Sequence, residues 1–195
     1  VLFQTMICQE LQQFIHKNFN FKQIQGWQYQ IQNALSISLK SSFVKQLYMS
    51  NTNAFDVNWE NYLQLGTSYT NISSGLNIRL GLLPLQEIIN SIAYNTHLNN
   101  KNTNNFNESE SFFFIKPMLR YVAYDATIQG SFLNKTSQVT KEIIPFVFSF
   151  QLGIKFTVQK FNFGYSFNYN TNKSKGLRYV NGNEFGRIIL SYRWN

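Results

Sequence analysis

Two side chains near the start of the chain have the types and spacing for chemistry, Gln12 and His16, written Gln12-x-x-x-His16. On a helix, residues four apart lie on one face, so an amide and an imidazole can reach the same small-molecule site. Histidine is the side chain that changes charge near neutral pH, which suits it to carrying a proton. The competing reading is a solvated histidine at a helix end. Cys8 lies about two helical turns from His16, too far along the helix for a nucleophile and base pair, and reads as a core thiol. His97 falls in an Asn-rich tract and reads as solvated. Lys116, Arg120, Lys155, Arg187 and Arg193 recur at alternate positions and form a ladder of cations on the polar faces of several segments.

The elements that must position these groups follow from periodicity. Ile7, Leu11, Phe14 and Ile15 recur at helical spacing, which predicts an amphipathic helix over 7–20 that ends before Gly26. From Trp27 the period drops to two. Trp27, Tyr29, Ile31, Leu35, Ile37 and Leu39 alternate with Gln28, Gln30, Gln32, Ser36 and Ser38, a strand that runs on toward Tyr48. Phe55, Val57, Trp59, Leu63 and Leu65 then oppose Asp56, Asn58, Glu60 and Gln64; Leu76, Ile78 and Leu80 oppose Asn77 and Arg79. Pro84 opens an interruption over 83–111, with a short helix expected over Leu85–Tyr94 and a loop over the Asn-rich tract. Further strands carry Phe113, Ile115, Leu119 and Tyr121, then Phe146 to Val158, then Phe161 to Tyr169, and finally Ile188 to Trp194.

Phe161-Asn-Phe-Gly-Tyr-Ser-Phe-Asn-Tyr169 is the clearest of these: five aromatic rings on one face, and Asn, Gly and Ser on the other. Carboxylates and amides at the inward positions of the other strands fit a wet lumen better than a packed core. Apolar outside and polar inside is the pattern of a transmembrane antiparallel β-barrel, which makes the expected fold all-β.

Composition agrees. Charged residues are 13% against an average of roughly 25% in soluble domains, and aromatic residues are 17%, so the surface is short of what water requires. No run of 18 apolar residues occurs, which excludes a transmembrane helix and leaves barrel strands untouched. The net charge of +8 is scattered, without a basic stripe interleaved with aromatics, so nucleic acid is not an expected partner; a phosphate-bearing lipid headgroup is an equally good acceptor. The single cysteine excludes an intrachain disulfide. About seven strands are countable, whereas bacterial single-chain barrels have even numbers, so earlier strands are expected upstream of Val1. If the last strand runs inward, the helix carrying His16 sits at the extracellular rim, while the 159–160 turn and the 83–111 excursion are periplasmic.

At this level of detail the sequence resembles the outer-membrane lipid A 3-O-deacylases (LpxR). The residues that carry the likeness are Gln12-x-x-x-His16, Gly26-Trp27-x-x-Gln30, Leu65-Gly66, Ser74 to Gly81, Arg120 to Phe132 and Glu184-Phe185-Gly186. The resemblance implies a twelve-stranded barrel of which residues 1–195 supply the last seven or so strands, with a short rim helix bearing the site. It implies a monomeric esterase of the outer membrane that hydrolyses the ester holding the 3'-acyloxyacyl chain of lipid A in lipopolysaccharide, using calcium. His16 matches the family's general base and Gln12 the neighbouring glutamine. Ala34 stands near a position where the family often has an acid, and Glu10 is an available substitute, also readable as a solvated carboxylate. A non-catalytic barrel, either pore or adhesin, is the second expectation, and a soluble β-sandwich binding module the third.

Overall fold

The computed structural model describes residues 14, 17–18, 36–94, 109–133, 140–177 and 182–192. They form seven antiparallel strands: β1 Ser38–Met49, β2 Phe55–Gly66, β3 Tyr69–Gly81, β4 Ser109–Asp125, β5 Phe146–Val158, β6 Phe161–Asn170 and β7 Asn183–Tyr192. Their order in the sheet is their order in the chain. The sheet curls, because residues from all seven strands line one cavity on its inner face. No described helix is long and apolar enough to cross a membrane.

The alternation read from sequence is the alternation of the two faces. Leu39, Phe55, Trp59, Leu63, Phe113, Leu119, Phe146, Phe161, Tyr165 and Leu190 are exposed on the outer face. Asp56, Asn58, Glu60, Asn77, Arg79 and Glu110 are fully buried on the inner one. Polar inside and apolar outside is the reverse of a water-soluble domain. In β1 both Leu47 and Tyr48 are exposed. The cause is a bulge between Gln46 and Tyr48, where the register against β2 shifts by one residue.

Sequence and structure differ most over 82–94. The expected short helix is replaced by two 3-10 turns, Ile88–Asn90 and Ile92–Tyr94. Ser109, Glu110 and Ser111 are the first residues of β4 rather than the end of an excursion. The segment tucks back against the inner face: Leu85 and Ala93 pack with Phe112 and Phe114, and Met49 and Tyr94 close around them. Four buried apolar side chains give a 3-10 segment the tertiary support that short helices lack on their own.

Pro117 sits within β4, where it can donate no ladder hydrogen bond. The β3–β4 pairing accordingly skips from Gly75↔Met118 to Ile78↔Ile115. Gly75 lets the strands close at this point, since a Cβ there would lie 2.3 Å from the Pro117 carbonyl oxygen. Gly75→Val is therefore expected to destabilise the folded sheet by about 1–3 kcal/mol, read as a lower urea midpoint for protein refolded in detergent. An unchanged midpoint would mean that β4 can shift freely here.

Candidate functional site

Gln12 and His16 lie outside the described residues, as do Cys8, Glu10, Trp27, Gln30, Ala34, His97 and Arg193. Of the predicted helix, Phe14, Lys17 and Asn18 are described; they are helical and exposed. The remaining cations of the ladder, Lys116, Arg120, Lys155 and Arg187, are brought to the wall of a single cavity of about 910 Å³ on the inner face.

Behind Tyr94, Lys116 and Lys155 of its lining is a buried polar network. Arg79 is its centre. Arg79 Nε donates to both oxygens of Asp56 at 2.9 and 3.1 Å, and Nη2 also reaches this carboxylate. Nη1 donates to Glu110 at 3.0 Å, and Nη2 to the Gln86 carbonyl at 2.8 Å. The register explains the triad: Arg79 faces Asp56 directly across the β2–β3 ladder. Glu110 enters from β4 and uses its second oxygen to accept from Ser91 Oγ at 2.7 Å and Ala93 N at 3.2 Å. One carboxylate thus joins the sheet to the 82–94 segment.

A second cluster lies beside it. Glu60 accepts from Lys116 Nζ, Tyr62 Oη and Asn77 Nδ2, each at 2.6 Å. Asn77 also donates to the Tyr94 hydroxyl at 2.8 Å. Lys155 Nζ donates to the Ala93 carbonyl at 2.7 Å and sits 4.1 Å from the centroid of the Tyr94 ring. Tyr94 stacks on Phe112 with an interplanar angle of 9°. Burial, and then the charge of Glu60, push the Tyr94 phenol well above its ordinary value, so it stays a neutral hydroxyl that accepts from Asn77 and a cation-π partner at physiological pH.

At the opposite end the Tyr124 to Phe132 motif folds into a cap. Asp125 accepts from Thr127 N at 2.9 Å and begins a single helical turn, Ala126–Gln129. Gly130 ends it at φ 81°, in the positive region that glycine adopts without strain. Tyr124 Oη donates to the Gly130 carbonyl at 2.7 Å and accepts from Phe132 N at 3.1 Å. These motif residues hold one another, which gives them a structural role.

Calcium finds no fit among the described residues. No group of three His, Cys, Asp or Glu is placed to hold a metal ion. The buried carboxylates are already engaged, Asp56 and Glu110 by Arg79 and Glu60 by Lys116. Sequence reasoning put Asp56, Glu60 and Arg79 on polar faces but did not foresee the Asp56–Arg79–Glu110 triad. The signal was the placement of oppositely charged residues at inward positions of neighbouring strands.

A solved structure, LpxR from Salmonella typhimurium, superposes with a TM-score of 0.66 at 17% identity. The match covers 95% of this chain and 62% of that one, so the chain spans about three fifths of that protein's length. At this identity the likeness shows a shared fold. No curated protein matches the chain. The family model described as outer membrane protein LpxR matches residues 5–194, nearly the whole sequence, and the chain with its inverted sheet belongs to that family.

Proposed function

We propose that the protein is a lipid A deacylase of the outer membrane, a barrel esterase that removes the 3'-acyloxyacyl chain of lipid A at the extracellular rim. The observation that carries this reading is the family match over nearly the whole chain, joined to a sheet whose apolar face suits lipid and whose polar face suits an aqueous interior. The cap formed by Tyr124 to Phe132 and the end of the cavity away from the 82–94 segment would then face outward. The rim helix would stand on that side, because β1 runs from this end toward the turn at 50–54.

In this mechanism His16 takes a proton from water as the water attacks the ester carbonyl. Gln12, one turn away, orients the substrate or the developing oxyanion through its amide. Calcium, which the resemblance implies, would supply Lewis-acid stabilisation when bound. Expressed at full length in a host with unmodified lipid A, the protein is expected to convert lipid A to a species lighter by one acyloxyacyl group, seen by mass spectrometry. EDTA added to the purified enzyme is expected to stop the conversion. Lipid A of unchanged mass would overturn the reading.

A conducting pore is the weaker alternative. Leu85, Ile92 and Ala93 are buried where an open channel would need water, which speaks against free passage at that end.

A further inference from the structure

The cavity on the inner face has walls of one sign. Its charged described lining residues are Lys40, Lys116, Arg120, Lys155, Lys173 and Arg187, and no Asp or Glu is among the described residues of the lining. Lys116 is paired with Glu60. Lys155 is held by the Ala93 carbonyl and the Tyr94 ring. The other four form no ion pair with a described carboxylate. Arg120 Nε and Ser149 Oγ, donors on the same wall, are sealed from solvent without an acceptor.

Position sharpens the point. Lys40 lies near the start of β1, Arg120 near the end of β4, and Lys173 in the connection between β6 and β7. All three are therefore at the end of the sheet remote from the 82–94 segment. The balanced charges, Arg79 with Asp56 and Glu110, are at the closed end. The described charges are thus balanced in the buried network behind the closed end and cationic toward the mouth. A cleft of one sign bounded by low-dielectric walls concentrates its field on whatever enters, and its about 910 Å³ is the size of a small-molecule site. Guanidinium and ammonium donors spaced over several strands suit a tetrahedral oxyanion, whose oxygens can accept from several directions, better than a planar carboxylate.

We propose that the mouth of this cavity is a binding site for a phosphate group, engaged by Arg120, Lys40 and Lys173. The site does not depend on ester hydrolysis, so it can stand or fall separately from the deacylase reading. A free phosphate and a phosphorylated lipid headgroup offer the same chemistry. Full-length protein in detergent micelles titrated with inorganic phosphate is expected to show saturable heat of binding. The double variant Arg120→Gln, Lys173→Gln is expected to bind at least tenfold more weakly with an unchanged circular dichroism spectrum. If the double variant does not fold, Arg120→Lys with Lys173→Arg keeps the charge and is expected to bind within a few-fold of wild type.

Phosphatidylcholine vesicles carrying lipid A or its dephosphorylated form separate the two sources. Preference for the phosphorylated vesicles assigns the headgroup. Equal capture, with phosphate binding retained, assigns the free anion. Absence of saturable phosphate binding by wild-type protein, or equal affinity in the glutamine variant, overturns the site.

Discussion

His16→Ala in the full-length protein is expected to slow lipid A deacylation by about 10²–10⁴-fold, the usual contribution of a positioned general base. The measurement is the fraction of lipid A lacking one acyloxyacyl chain against time, by mass spectrometry, with equal amounts of folded protein. Gln12→Ala is expected to cost less than His16→Ala, because an orienting amide leaves the proton transfer intact. The pair also fixes a sign with pH. A base must be unprotonated to act, so wild-type activity should fall as the medium is acidified through the histidine range. A His16→Ala variant as fast as wild type would remove His16 from the mechanism and leave the outer-membrane assignment standing.

The second large effect concerns stability. Arg79→Met removes the only described cation bonded to Asp56 and Glu110, and leaves two buried carboxylates without their partner. Breaking a buried pair in this way costs about 3–5 kcal/mol, more than most single substitutions. The loss should appear as a lower unfolding midpoint and as new proteolytic cleavage within 82–94, since Gln86, Ser91 and Ala93 all hang on this triad. Neutralising the partners as well, with Asp56→Asn and Glu110→Gln, should recover much of the loss, because the penalty comes from stranded charge rather than from lost shape. Cleavage and midpoint unchanged in Arg79→Met would show that the apolar contacts of Leu85 and Ala93 suffice.

These two predictions draw on different layers of legibility. The sheet could be read from the sequence because a two-residue period records directly which face each side chain takes. Phe161 to Tyr169 and Phe146 to Val158 fall where that period puts them, and so do the inward Asp56, Asn58, Glu60 and Arg79. The bulge at Gln46–Tyr48 could not be read, since Leu47 and Tyr48 are both apolar and one extra residue leaves no mark in composition. The 82–94 segment was harder still. Its apolar residues have spacings that suit a helix, but their partners, Phe112 and Phe114, come from a strand that follows in the chain, and tertiary burial decided the local form. For the site, the sequence offered His16 and Gln12 by spacing and by resemblance, both outside the described residues, and the ladder of cations by alternation. It could not reveal that Asp56, Glu60 and Glu110 gather around Arg79 and Lys116, because that depends on register across three strands.

Among the described residues, every strand of the sheet hydrogen-bonds only to its immediate predecessor and successor in the chain. Contacts of this kind are local hairpins, with little loop entropy to be lost before each is rewarded. The sheet can therefore zip up one hairpin at a time, and the long connection between β3 and β4 is its slowest seam. That seam is where the Arg79 triad lies, so the residues of the buried network behind the cavity also fasten the first three strands to the last four.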